Sequence, residues 1–136
     1  MTDDNKKKNI ADELLRSEQC LRAARALLDL ALYADAVSRA YYAVFHALRA
    51  ALLTRGVEPK THTGAIHLFN TELVRTGDFS SAHNRLIGGL QRSRELADYD
   101  AAVVFSEADA RAEIDDAVQF IDEARAYLAR TGPGAG

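Results

Sequence analysis

Three polar side chains share one face of an apolar helix predicted near the middle of the chain. Arg39, Tyr42 and His46 stand three and four residues apart, and these spacings bring side chains to the same side of an α-helix. The surrounding stretch, 35–53, reads DAVSRAYYAVFHALRAALL and is otherwise mostly apolar. Polar groups buried there must be paired or functional, because burying them alone is costly.

A second polar stretch, 92–99, reads RSRELADY. Arg94 and Asp98 are four residues apart and therefore lie on one face of a helix. Asp98 can pair with Arg94 in that helix, or it can orient Arg39 or His46 across a helical bundle. Either pairing would hold a guanidinium in a fixed direction toward an anion.

These residue types suit the metal-independent cleavage of a phosphodiester. Histidine would transfer protons, arginine would stabilise the charged phosphorane, and the 2′-hydroxyl of RNA would be the nucleophile. The same set suits a site that only binds a nucleotide phosphate. In a third interpretation the network merely fixes the packing of the helices, with Tyr41, Tyr42 and Phe45 as core aromatics.

Other kinds of catalytic site have no counterpart in the sequence. The chain has no glycine-rich phosphate loop, no HExxH motif and no serine in a nucleophile elbow. Cys20 is the only cysteine, which excludes an intrachain disulfide and a thiolate zinc cluster. His62 and His67 are five residues apart and face different ways on a helix. We therefore predict neither a metal site nor a cofactor.

The charge of the chain is unevenly distributed. The net charge is −3, which is not typical of a cationic nucleic-acid-binding protein. The segment 39–94, however, holds 8 of the 17 Lys and Arg residues, only 3 of the 20 Asp and Glu residues, and all 4 histidines. This basic centre could bind an anionic ligand or could pair with the acidic ends of the chain.

The sequence predicts a cytoplasmic protein that does not enter a membrane. No apolar run approaches the roughly 20 residues that a membrane span needs. The first ten residues, MTDDNKKKNI, lack the apolar core of a signal peptide.

The apolar periodicity predicts an all-α chain, an antiparallel bundle of about five helices. A single domain is expected over 6–130, with disordered ends at 1–5 and 131–136. The glycine pair Gly88-Gly89 indicates a close helix approach, a kink or flexibility. The predicted helices cover 6–30, 35–55, 62–75, 80–101 and 106–129.

Several of these residues together resemble a known family. The stretch SRAYYAVFHALRAALL, the histidine His62 after a short loop, and the stretch RSRELADYD resemble the HEPN domains (higher eukaryotes and prokaryotes nucleotide-binding). The resemblance is greatest to the small stand-alone prokaryotic members, and it covers 10–128.

The resemblance implies a helical bundle that is usually a homodimer and is often encoded beside a small nucleotidyltransferase. Such pairs act as toxin and antitoxin, and the HEPN member is a metal-independent RNase. Its motif is an arginine, four to six residues, and a histidine on the fourth helix. In some pairs the transferase adenylylates a tyrosine just after that histidine.

This chain departs from that motif in its fourth helix. Arg94 is followed by Asp98 and Tyr99 and by no histidine, so the resemblance assigns Arg94 and Tyr99 but no general base. Arg39 and His46 have the right spacing, but they lie on the second helix.

Two hypotheses follow from the residues and the resemblance. The first is a HEPN-type toxin and RNase in which Arg94, Asp98 and His46 are catalytic and Arg39, Tyr42 and Tyr99 bind the ligand. The second is a non-catalytic HEPN module that binds a nucleotide, RNA or a nucleotidyltransferase. Both hypotheses expect a homodimer.

Overall fold

Five α-helices form the chain in a computed structural model that describes residues 2–132. The all-α prediction is confirmed, and these residues include no strand. The predicted disordered tail lies largely outside the described residues. The helices are α1 (Asp3–Asp29), α2 (Tyr33–Leu53), α3 (His62–Phe69), α4 (Ser81–Tyr99) and α5 (Glu107–Thr131), and α3 continues directly into a π-helical turn, Asn70–Val74.

The first two helices begin earlier than the sequence predicted. Thr2 caps α1 by accepting a hydrogen bond from the backbone N–H of Asn5, so the residues that follow Thr2 are helical rather than frayed. The α2 helix starts at Tyr33, and Asp35 therefore lies in its first turn instead of capping it. There its carboxylate still interacts favourably with the helix dipole.

Side-chain caps define the start of the later helices. Thr61 accepts from the N–H of Gly64 at the start of α3. Ser106 and Asp109 form a capping box at the start of α5, and Ser80 forms one with His83 at α4. Gly56 and Gly77 lie three residues after the ends of α2 and of the π-helical turn. Their φ angles are positive, 71° and 89°, which glycine adopts at little cost.

The α2 helix is the centre of the bundle. It contacts α1, α3, α4 and α5, and thirteen of its residues are buried. Six of these are fully buried alanines, whose small side chains permit close helix approach. They are Ala36, Ala40, Ala43, Ala47, Ala50 and Ala51. The hydroxyl of the buried Ser17 in α1 donates to the carbonyl oxygen of Ala43 at 2.6 Å, which fixes the alignment of α1 on α2.

The second part of the core is aromatic. The ring centres of Phe69, Phe79 and Phe120 lie within 6 Å of one another, and the tilted ring of Tyr127 packs against Phe79 with its centre 5.2 Å away. The Tyr127 hydroxyl meets that of Thr54 at 2.8 Å. This cluster joins the end of α3 and the loop before α4 to α5 and the end of α2.

The helix through Gly88 and Gly89 is continuous. A Cβ atom placed at either position would have only the side chain of Arg92 within 4 Å. Within the described chain, therefore, this glycine pair does not allow the close helix approach that we predicted.

No helix in the described part of the chain combines the length and the apolar character needed to cross a membrane.

We expect Phe120→Ala to lower the free energy of unfolding by about 3–5 kcal/mol, because Phe120 is fully buried and its removal leaves a cavity. Urea denaturation followed by circular dichroism measures the change. Val104→Ala is the matched control, since Val104 is 86% exposed and should change stability by less than about 0.5 kcal/mol. Similar values for both variants would contradict the assigned core.

Candidate functional site

Arg94 lies on the inner side of α4 with its guanidinium enclosed by aromatic rings. The residue is only 7% exposed. Its guanidinium carbon is 5.2 Å from the ring centre of Tyr41 and 6.0 Å from those of Tyr42 and Tyr99. These are cation–π distances, so three tyrosines hold the arginine in place.

The ion pairs of Arg94 are long for a buried charge. An Asp98 carboxylate oxygen is 3.5 Å from Nη1 and a Glu95 oxygen is 3.9 Å from Nη2. The buried Nε has no hydrogen-bond partner within residues 2–132. A guanidinium has five N–H donors, so the hydrogen-bonding capacity of Arg94 is incompletely used within the described residues.

Arg94 nevertheless remains charged. Burial acts to lower its pKa, but Tyr42, a hydrogen bond with Tyr99, Tyr41 and the carboxylate of Asp98 together raise the pKa above its usual value. A buried cation whose donors are incompletely paired is costly to the fold. Such groups are concentrated at functional sites.

His62 is the first residue of α3 and reaches the same cluster. Its Nδ1 is 2.9 Å from the Tyr41 hydroxyl, and its ring centre is 4.3 Å from that of Phe45 and 5.7 Å from that of Tyr42. Burial, with the positive charge of Arg94 as the next cause, lowers the pKa of His62 below its usual value of 6.5. His62 is therefore neutral at pH 7.

The partner of His62 indicates which ring nitrogen carries its proton. Burial raises the pKa of Tyr41 to about 12, so the phenol keeps its proton. The Tyr41 hydroxyl has no other acceptor among the described residues, so we assign it as the donor to Nδ1. The Nε2 of neutral His62 then carries a hydrogen and can donate to an anion.

His46 is held by a carboxylate from the first helix. Its Nδ1 is 2.8 Å from Oε2 of Glu13, and Oε1 of the same carboxylate accepts from Nε of Arg49 at 3.1 Å. Burial acts to raise the pKa of Glu13, but the hydrogen bond from His46 and the charge of Arg49 outweigh burial and lower it overall. Glu13 is therefore ionised at neutral pH.

His46 and His62 carry their protons on opposite nitrogens. Because a carboxylate only accepts, Nδ1 of His46 must carry the hydrogen, and Nε2 of the neutral ring keeps a free lone pair. This is the arrangement by which a carboxylate prepares a histidine as a general base. His46 can thus accept a proton, whereas His62 can donate a hydrogen bond.

The predicted site residues form a connected cluster, with His46 at its edge. Asp98 pairs with Arg94, and Tyr42 links Arg94 to Arg39, whose guanidinium carbon is 4.7 Å from the Tyr42 ring centre. Tyr99, at the end of α4, is 80% exposed. The Asp98 carboxylate thus pairs within its own helix, and the carboxylate that orients His46 is Glu13.

Two residues of the cluster were not predicted. Glu13 is one of them, and its side chain is only 18% exposed, so it does not lie on a solvated face of α1. Its spacing from the buried Ile10 and Ser17, three and four residues away, was an available signal. His62 joins the cluster by its contact with Tyr41, which is 21 residues away in the sequence. No local pattern indicates that contact.

A comparison with known protein families shows where the chain belongs. The model of the HEPN domain family matches residues 11–127, which span all the site residues described above. The chain belongs to the HEPN domain family.

Relatives of this HEPN domain include proteins named as toxins. "Putative toxin MJ0605" of Methanocaldococcus jannaschii is 38% identical over 112 residues, which cover 82% of this chain and 83% of the relative. "UPF0332 protein glr0978" of Gloeobacter violaceus is 38% identical over 120 residues, which cover 88% of this chain and 95% of the relative. "Putative toxin MJ0142" of M. jannaschii is 29% identical over 122 residues, which cover 90% of this chain and 83% of the relative.

We expect Glu13→Gln to lower the free energy of unfolding at pH 7 by about 1–2 kcal/mol, because the charged acceptor of His46 and Arg49 is lost. The folded pKa of Glu13 is lowered, so its stabilisation is complete above pH 4.5, the unfolded value, and is lost as the pH falls through the folded pKa. The difference from wild type should therefore shrink below pH 4.5 in urea titrations. Glu18→Gln, which breaks an exposed ion pair with Arg125, should cost less than about 0.5 kcal/mol.

We expect Arg94→Gln to raise the pKa of His62 part of the way toward 6.5, because it removes the positive charge while burial remains. NMR titration of the histidine ring resonances measures this pKa. Arg92→Gln, an exposed neighbour on α4, should leave it unchanged. A His62 pKa that does not respond to Arg94→Gln would show that the two residues are not neighbours in solution.

Proposed function

We propose that this HEPN domain is the toxin of a toxin–antitoxin pair and cleaves RNA without a metal ion. The toxin names of two relatives support the first part. The second part rests on the site itself, which contains an arginine suited to phosphate and two histidines with different proton positions.

The observation that carries the proposal is the incompletely paired, buried Arg94. A purely structural arginine at 7% exposure would be expected to have short hydrogen bonds to a carboxylate. Arg94 has instead one hydrogen bond of 3.5 Å, a Glu95 contact at 3.9 Å and a buried Nε without a partner in the described chain. A phosphate oxygen would supply the missing acceptors.

Each step of the proposed reaction has a residue suited to it. His46 Nε2 accepts the proton of the ribose 2′-hydroxyl, and the 2′-oxygen forms a bond to phosphorus. Arg94 stabilises the added negative charge, and the Nε2–H of His62 donates to the same phosphate. The bond from phosphorus to the 5′-oxygen then breaks, and that oxygen takes a proton from water. The products are a cyclic 2′,3′-phosphate end and a 5′-hydroxyl end.

Two remaining residues are assigned to positioning and binding. Asp98 holds Arg94 from the next turn of α4. Tyr99 is exposed beside the arginine, and its ring can stack on a base, as aromatic side chains do in single-stranded RNA recognition. Tyr42 and Arg39 extend the binding surface along α2.

A non-catalytic HEPN module that binds a nucleotide, RNA or a nucleotidyltransferase is the second candidate. It is favoured by the absence of a histidine after Arg94 on α4. In this case His62 and Arg94 bind a phosphate and nothing is cleaved.

Three further properties belong to the proposal. A second copy of the chain would place two such sites in one homodimer. A nucleotidyltransferase antitoxin would find the hydroxyl of Tyr99 accessible, since that residue is 80% exposed. The toxin would act in the cytoplasm, where its RNA substrates are.

We expect the purified protein to cleave a fluorogenic RNA in EDTA, and Arg94→Ala to lower the rate by about 100-fold or more. His46→Ala should lower it by a similar factor, because the general base is lost. Arg92→Ala should retain the wild-type rate, and circular dichroism shows whether each variant is folded.

Activity that survives in folded Arg94→Ala would contradict the proposed site. RNA binding with no cleavage by any variant, wild type included, would instead support the non-catalytic module.

A further inference from the structure

A polar groove lies between α1 and α2, beside the Arg94 cluster. Its volume is about 350 Å³, and its walls include Arg16, Gln19 and Cys20 of α1 and Arg39, Tyr42 and His46 of α2. The α1 residues were not among the predicted site residues. Tyr42 lines the groove and also contacts the Arg94 cluster, because the guanidinium carbons of Arg39 and Arg94 lie 4.7 Å and 6.0 Å from its ring centre.

The charge of the groove is positive. Neither Arg16 nor Arg39 forms an ion pair within residues 2–132, and the hydrogen bond from Arg16 goes to the neutral Gln19 at 3.5 Å. Glu13, three residues before Arg16, is already occupied by His46 and Arg49, and Glu18, two residues after it, pairs with Arg125. The guanidiniums of Arg16 and Arg39 are therefore available to an anion.

Cys20 lines the same groove as the two arginines. Burial raises the pKa of the Cys20 thiol, and the positive charges of Arg39 and Arg16 oppose that rise. Both guanidiniums thus act on one atom of the groove wall, although they come from different helices.

The groove includes the histidine that we assign as the proton acceptor. Nδ1 of His46 is engaged by Glu13, while the imidazole forms part of the groove wall. A chain lying in the groove would pass His46 and Tyr42 and would then reach Arg94. Tyr42 offers a ring on which a base can stack.

We propose that the Arg16–Arg39 groove binds a second phosphate of a single-stranded RNA, next to the phosphate bound by Arg94. This inference rests on the proposed function and names its substrate as a strand with at least two phosphates rather than a mononucleotide. Single-stranded nucleic acids are commonly bound by a basic groove combined with aromatic stacking. The groove supplies the basic part, and Tyr42 supplies the ring shared with the Arg94 cluster.

Fluorescence anisotropy with a fluorescein-labelled uridine oligonucleotide tests the proposal, and 2′-O-methyl groups on the probe prevent cleavage during the measurement. We expect Arg16→Ala and Arg39→Gln each to weaken binding by about three- to tenfold at low salt. Each should also reduce the slope of log K against log salt by about 0.7, the value for one phosphate contact in a single strand. Arg22→Ala removes an exposed arginine of the same helix outside the groove and should bind as wild type does.

Arg16 is exposed, so its variant tests the groove even if Arg39→Gln fails to fold. Wild-type affinity in folded Arg16→Ala and Arg39→Gln would overturn the groove while leaving cleavage at Arg94 intact. Weaker binding by both variants, in a protein that does not cleave RNA, would support the groove and remove the RNase proposal. Absence of strand binding by the wild type would overturn both.

Competition with uridine monophosphate separates a strand from a nucleotide. We expect the mononucleotide to compete weakly and to be insensitive to Arg16→Ala. The proposal would be overturned if the wild type bound the mononucleotide and the oligonucleotide equally well and if Arg16→Ala and Arg39→Gln weakened both affinities equally. That result would show that the groove holds a single nucleotide.

Discussion

The carboxylate of Glu13 connects the parts of the molecule on which the candidate site depends. One oxygen accepts from His46 and the other from Arg49, so α1 and α2 are joined by a partly buried charged network. Arg49 also donates to the carbonyl oxygen of Pro59 at 3.3 Å, in the loop that leads to His62. A single acid thus orients one histidine directly and restrains the segment that carries the other. Networks of this kind are worth more than the sum of their pairs, because each charge strengthens its neighbours in a region of low dielectric constant.

The fold was predictable because its signals are local. Apolar stripes with helical period, breaks at Gly56 and Gly77, and a capping box at Ser106 are each contained within a few residues. The errors at the first two helix starts have different origins. The Thr2 cap is a local signal in an exposed polar segment, and it was overlooked. The start of α2 at Tyr33, two residues before Asp35, involves a side chain that packs against the core, and the local sequence does not record that contact.

The site was predictable only where its residues share a helix. The spacing of Arg94 and Asp98, and of Arg39 and Tyr42, indicated neighbours that the structure confirms. The spacing of Arg39, Tyr42 and His46 does not, however, indicate the hydrogen-bond partner of His46. That partner, Glu13, is 33 residues away in the sequence. His62 similarly meets Tyr41 across a turn and a loop. The sequence thus indicates which residues can act on a phosphate, but the proton positions on the two histidines depend on partners brought together only by folding.

The aromatic enclosure of Arg94 has a consequence for the entropy of recognition. An arginine side chain free in solvent samples many rotamers and loses about 2 kcal/mol of rotational entropy when it is held in one. The rings of Tyr41, Tyr42 and Tyr99 already restrict Arg94, so this loss occurs when the chain folds and not when an anion arrives. The affinity of this arginine for a phosphate is then set chiefly by charge and desolvation. A lysine at position 94, which has a flexible stem and no planar face to stack, would lack this preorganisation even though its charge is the same.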